Sequence, residues 1–391
     1  MRGRVDGAVR RPSYDAPVDS STVVTPPYVA GPLRLLPFRA LRLVPSRIGD
    51  PASGRAFARP YKDVAARLTR WQEHGQITHD GEPALYLHEY TAAGITIRGL
   101  VGLLDVSHRA ALPEDRAILP HEGIYPAQAD ELADRMSEMG LNPAPILLVH
   151  RAPTTVREVL ADVVAGVPDH QFTDRVEQRH RIWAIRAPEH LATIAAGLAG
   201  CRALIADGHH RYAAYLRLQQ RCPEGPADSG LAMLVDQDDT PLFLGAIHRV
   251  LAGTSLDDLH LAARSLGFES VEAGAVEAVG ALGPTTLVAT DSERWAVVTL
   301  DVPADRAAVE VLHGQLIPAL PHGPRNIGYH HTVEDTLSRV SPEIGIAVLM
   351  PAPAVDLVLA IAAHDRLLPE KATSFQPKPS LGVLIRSLRD E

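Results

Sequence analysis

The sequence predicts a mixed α/β (α+β) fold in which both halves of the chain alternate strands with helices. Two observations carry this. Short apolar runs of strand length, such as residues 145–150 and 203–206, alternate with helical stripes such as residues 128–139. Gly and Pro punctuate the boundaries between these segments.

Taken in order, residues 1–30 hold Pro, Ser, Thr, Asp and Arg with little periodicity and are expected to form a disordered leader. Order should begin near residues 33–44, an apolar run broken by Pro37. A helix is expected over 62–73, with Val64, Leu68 and Trp71 on one face. Residues 84–90 and 95–104 read as a hairpin whose turn, 91–94, ends on Gly94. The helix 128–139 carries Ala129, Leu132, Ala133, Met136 and Met139 on one stripe, and Gly140 stops it. The strand 145–150 follows, then a helix, a loop, the strand 181–185 and a helix near 190–198. The strand 203–206 runs directly into Asp207-Gly208-His209-His210-Arg211 and a helix over 212–220.

Pro223-Glu224-Gly225-Pro226 is a plausible boundary, so the expected division is a leader (1–30), a first domain (31–225) and a second α/β domain (226–391) packed on it. In the second domain, 231–235, 242–250, 286–290, 294–300, 346–350 and 381–385 are strand-like or apolar runs. Residues 256–266, 306–316, 332–340 and 354–364 are helix-like.

Composition excludes several classes of function. The net charge is −9 and no run of five or more Lys/Arg exists, which disfavours nucleic-acid binding by bulk electrostatics. Residues 1–11 carry four Arg and one Asp but no apolar core, so they do not read as a secretory signal. No stretch reaches the ~20 apolar residues of a membrane span. The two cysteines, Cys201 and Cys222, make neither a disulfide framework nor a four-thiolate metal site. They read as buried thiols in a reducing, cytoplasmic setting. The lysines are only three, Lys62, Lys371 and Lys378, in a chain that otherwise uses arginine. Positions that keep Lys against that bias are candidates for a compact ammonium.

Common catalytic motifs are absent. No Gly-Lys pair exists, which excludes a P-loop, and His121-Glu122 is followed at 125 by Tyr, which excludes a zinc-protease helix. The densest chemical cluster is Asp207–Arg211. It lies between a strand end and a helix start, where free N–H groups and the helix dipole attract anions. Gly208 permits close backbone approach, and His209, His210 and Arg211 add donors. Asp207 is placed to cap the helix, hold a histidine tautomer or contribute an oxygen to Mg²⁺. Glu122, in the loop before the 128–139 helix, is a candidate general base toward a hydroxyl, or a surface or capping acid. Gly328-Tyr329-His330-His331 is a further candidate for metal or substrate.

The run Leu119-Pro120-His121-Glu122, then Leu132, Met136, Gly140 and Pro145–Val149, then Leu204-Ile205-Ala206-Asp207-Gly208-His209-His210-Arg211-Tyr212, resembles the ParB/sulfiredoxin-like superfamily, most of all its branch of archaeal free-serine kinases. Three stretches closely resemble the bacterial domain-of-unknown-function family 1015: Pro37–Arg42, Met350–Pro353 and Leu368–Lys378. That second resemblance spans roughly residues 37–388. Together they imply a ParB/sulfiredoxin-like first half and phosphoryl transfer from ATP or ADP with Mg²⁺ to a hydroxylated, serine-like metabolite. The implied catalytic residues are Glu122 (base), Asp207 (Mg²⁺ or histidine partner) and His209. Gly208, His210, Arg211 and His121 would hold the nucleotide phosphates, with Lys371 and Lys378 as further substrate or phosphate contacts. The sulfiredoxin Cys position is His209 here, which makes that chemistry unexpected, and the segment Arg59–Val64 departs from the family pattern by Lys62. The competing expectations are a non-catalytic nucleotide- or metabolite-binding regulator and, weakest, a ParB-like DNA-binding protein.

Overall fold

The computed structural model describes residues 23–51, 53 and 64–389. Arg59–Asp63, with Lys62, lies outside the described residues, as does the leader up to residue 22. Residues 23–30, expected within the leader, are already built into the fold. Val24 bridges Ile124, and Val29 and Ala30 bridge Arg109 and Arg116. The phenol of Tyr212, fully buried, accepts from the Val29 N–H and donates to the Pro27 carbonyl. That tie comes from a residue 183 positions away, which composition could not reveal.

The fold class is the mixed α/β one expected. A large nine-stranded sheet runs in the order Ile118–Leu119, Ala203–Asp207, Ile146–His150, Ser229–Asp236, Ile95–Asp105, Leu85–Ala92, Arg179–Ile185, His170–Thr173, with Leu35–Leu36 added on Ile95–Asp105. Ala203–Asp207 is parallel to Ile118–Leu119 but antiparallel to Ile146–His150. Its register slips between Ile205 and Asp207, so Asp207 leaves the alternation of the strand and is re-aimed. Apolar side chains bury both faces of this sheet, and one of the two clusters continues into the second sheet.

The second sheet has six strands in the order Glu269–Glu272, Trp295–Thr299, Thr286–Thr290, Gly345–Leu349, His248–Ala252, Asn326–His330. The boundary expected at Pro223–Pro226 does not separate the two sheets. Ser229–Asp236 is buried along its whole length at the centre of the large sheet. The chain also returns: Ile385–Ser387 pairs with Ala40–Leu43 and Leu141–Asn142. There buried Arg386 donates to the Pro226 and Ser229 carbonyls, tying the end of the Pro/Gly segment to the returning strand while Pro223 and Glu224 stay exposed.

Helix boundaries follow the predicted stripes closely where caps are local. Pro126–Met139 begins on Pro at its first position and ends on Gly140 at φ +66°, whose N–H reaches the Met136 and Ser137 carbonyls. Val333–Leu337 is shorter than expected, and Leu312–Leu316 widens into a π-turn after Ala308–Val311. The thiols differ from expectation too. Cys201 is only half-buried and Cys222, just past the end of the helix His209–Arg221, is exposed. Among the described residues, no helix is long and apolar enough to cross a membrane.

Candidate functional site

The site assembles at the junction between Ala203–Asp207 and the helix His209–Arg221. Gly208 caps the helix at φ +95°, and no side chain caps its free N–H groups. This backbone is open to glycine and strained for other residues, and the helix start it caps carries the positive end of the helix dipole.

Asp207 does not face this helix end as a bare charge. Its Oδ2 accepts from Arg211 at 2.5 Å and its Oδ1 sits 2.5 Å from the Lys378 ammonium. Burial raises the Asp207 pKa, but Arg211 and Lys378 outweigh it and hold the carboxyl below its ordinary value. Arg211 also donates to the Pro145 carbonyl at 2.6 Å, so its guanidinium is an internal strut more than an open fork. Both oxygens that were expected to meet Mg²⁺ are therefore engaged. Among the described residues no group of three or more His, Cys, Asp or Glu could hold a metal ion. The donors present make no protein-only metal cage, and a Mg²⁺ here would be carried in on the nucleotide phosphates.

The two histidines turn inward. His209 Nε2 accepts from the His121 N–H at 3.4 Å, and His210 Nε2 accepts from the Tyr125 N–H at 3.0 Å. Their rings meet the same loop, His209 edge-on to His121 and His210 stacked on Tyr125. Burial lowers the pKa of both and the Lys371 charge adds to it, with Glu370 partly opposing at His210, so neutral rings accept these bonds. His209 and His210 thus staple the Pro120–Tyr125 loop to the helix start. That is a different job from the phosphate donation expected of them.

Glu122 is placed by this stapled loop and by the chain's return. Leu368 bridges Glu122 in parallel, and the Leu368 N–H reaches the His121 carbonyl at 2.8 Å. Thr373 donates its hydroxyl to Glu122 Oε1 at 3.2 Å, and His121 Nε2 lies 2.7 Å from the same hydroxyl. With the Thr373 proton given to Glu122, His121 Nε2–H is the donor in the second bond. Burial holds His121 down to about 3, so the ring is neutral. Burial also raises the pKa of Glu122, while the Lys371 charge and Thr373 pull it back. The Glu122 side chain keeps 19% of its surface open to solvent.

The lysine-bearing segment 368–378 is a strap across the junction, which nothing local in the sequence placed there. Ser374–Gln376 pairs with Phe243–Gly245. Tyr90 donates to the Pro377 carbonyl at 2.6 Å and Gln178 to the Lys378 carbonyl at 3.2 Å. Lys378 is thereby delivered to Asp207, and the Lys371 charge is felt at Glu122, Asp207, His209 and His210. Sequence reasoning missed Thr373, Tyr125, Glu370 and Arg249. Thr373 sat unremarked inside the Leu368–Lys378 run, and Arg249 was hidden in an apolar strand. The Gly328–His331 candidate is split. His330 pairs with Asp335 at 2.7 Å, while Tyr329 and His331 face the strap, His331 Nδ1 lying 3.1 Å from Ser374 Oγ.

No curated protein matches the chain. Among solved structures it is similar to a free serine kinase in complex with AMP (14% identity, TM-score 0.36, covering 68% of this chain and 89% of that one). It is also similar to SbnI from Staphylococcus aureus with a C-terminal truncation (12%, TM-score 0.41, 74% and 90%). A conserved hypothetical protein from Pyrococcus furiosus gives 14%, TM-score 0.37, 70% and 93%. Likenesses this loose leave the reading of the site to its own geometry. Residues 22–311 match the family model described as "Protein of unknown function (DUF1015)", and the chain belongs to that family.

Proposed function

We propose that the protein is a small-molecule kinase that moves a phosphoryl group from ATP or ADP to a hydroxylated metabolite, serine-like in size. The observation that carries this reading is the pairing of a partly exposed acid, Glu122, with an uncapped helix start, held together by the His209–His121 bond. Phosphoryl transfer asks mainly for positioning and charge stabilisation, and this arrangement supplies both.

In this reading the N–H groups after Gly208 bind phosphate oxygens, and Lys371 adds positive charge from the strap. Glu122 accepts the proton of the acceptor hydroxyl as its oxygen forms a bond to the terminal phosphorus. The bond from that phosphorus to the bridging oxygen breaks, and the nucleotide leaves with the electron pair. Asp207 does not repel the incoming anion because Lys378 and Arg211 neutralise it. His209, His210 and His121 keep the base in place as neutral rings.

The test is phosphorus NMR on the purified full chain with ATP or ADP, Mg²⁺ and a panel of hydroxyl compounds. The reading expects a phosphate ester from at least one acceptor and its loss in Glu122→Gln. Nucleotide binding with no product from any acceptor would select the non-catalytic regulator instead.

A further inference from the structure

The strap carries one residue in a conformation its side chain does not favour. Lys371 has φ +55°, in the left-handed region that Asn and Gly adopt far more readily. Such strain persists only where the surroundings over-determine it. Tyr125, whose hydroxyl donates to Glu370 at 2.9 Å, holds the turn from the first half, and one side chain holds it from the second sheet. Arg249, on His248–Ala252, is only 1% exposed, yet it is a charged residue. Its guanidinium donates to the Lys371 carbonyl at 3.0 Å and the Glu370 carbonyl at 3.4 Å, and also to the Ile247 carbonyl. Nε reaches His313 Nε2 at 3.3 Å, and the group lies 5.4 Å from the Tyr329 ring centre.

Among the described residues no carboxylate lies within ion-pair distance of Arg249, and the acids whose charge it feels are the Tyr329 phenol first and Glu122 after it. Burying an arginine this way is costly unless its donors are used, and here they are used on the strained turn. The Lys371 side chain, by contrast, is exposed and forms no ion pair among the described residues. Its charge reaches Glu122, Asp207, His209, His210 and His331.

We propose that Arg249 is a positioning residue: from the second sheet it clamps the Glu370–Lys371 turn and so holds the Lys371 ammonium over Glu122. The second sheet thereby tunes a base that belongs to the first. This rests on the reading of Glu122 as the base, and it extends that reading to residues outside the junction. The groups facing Glu122 are Lys371, Glu370 and Thr373 from the strap, His121 from its own loop and Arg249 from the second sheet. Of these, Lys371 and Thr373 favour the carboxylate, and Glu370 opposes it. Losing Lys371 therefore raises the pH at which Glu122 gives up its proton.

The experiment follows the Glu122 carboxyl directly, by carbon NMR of the intact chain labelled in its glutamate carboxyls, with the signal assigned through Glu122→Gln. Lys371→Asn accepts the left-handed backbone but removes the charge, and raises the Glu122 midpoint by about one pH unit. Arg249→Lys keeps a buried charge but loses the fork on two carbonyls. It shifts the midpoint the same way, and the double variant shifts it no further than Lys371→Asn alone. Lys371→Arg keeps the wild-type midpoint. An unmoved midpoint in Arg249→Lys, or shifts that add in the double variant, overturns the clamp. The pH profile of phosphoryl transfer is recorded in parallel. Correct midpoint shifts without any transfer would sink the kinase reading and leave the clamp standing.

Discussion

The junction and the strap form one site by opposite routes. At the junction the shaping contacts are short in sequence, Gly208 capping the helix and Arg211 closing on Asp207 four residues earlier, and its longer ties reach back 66 to 88 residues. The strap works across the whole chain. Lys378 meets Asp207 at a separation of 171 residues and Thr373 meets Glu122 at 251. In the proposed reading the junction is the anion seat, and the strap sets how much positive charge stands beside it. The strap is anchored from three sides, by Tyr90 of the large sheet, by Phe243–Gly245 and by Arg249 of the second sheet.

That division is open to breakage, beginning with the base. Glu122→Gln keeps an acceptor for Thr373 but removes the proton sink, so kcat should fall by about 100-fold or more while nucleotide affinity holds. Steady-state phosphoryl-transfer rates beside calorimetry would separate the two effects.

Acid should act next, on the staples. The unfolded chain protonates its histidines near pH 6.5, whereas burial holds folded His121 at about 3 and His209 well below its ordinary value. The unfolded state thus binds more protons, and stability should fall as pH drops from about 6.5 toward 3, by up to about 1.4 kcal/mol per pH unit for each such ring. Urea midpoints across that range would show it, and a flat profile would mean the rings are charged in the folded chain.

A smaller change isolates the strap. Lys378→Met leaves Asp207 with Arg211 alone at the mouth of the seat, and nucleotide affinity should drop on the order of tenfold, about 1.4 kcal/mol. Titration calorimetry measures it. The mildest change tests the junction by itself. In Gly208→Ala the new Cβ would stand 2.9 Å from Arg211 with φ at +95°, and stability should fall by about 1 to 2 kcal/mol in denaturant unfolding.

The same contrast explains what the sequence could and could not show. Strand 203–206, the polar cluster behind it and the helix that follows were legible because periodicity, Gly208 and the run of polar residues are local signals. The Gly140 stop was legible for the same reason. The central place of Ser229–Asp236 was not, because a Pro/Gly run signals a turn without saying whether the chain leaves the sheet or re-enters it. The partners of His209 and His210 were not legible because a histidine's partner is set by what packs above it. Here that is a loop 85 to 88 residues earlier in the chain. Lys371 and Lys378 stood out by composition alone, but only the pairing of Ser374–Gln376 with Phe243–Gly245 and the bridge at Leu368 carry them to the junction.

Calorimetry of ATP and ADP binding, at two salt concentrations, to the intact chain and to the Lys371→Asn, Lys378→Met double variant bears most directly on a seat completed by its strap. Wild type should bind, more weakly at higher salt, and the double variant should bind at least about tenfold more weakly with a shallower salt dependence. Equal affinity in the two proteins, or no nucleotide binding by wild type, would contradict the account.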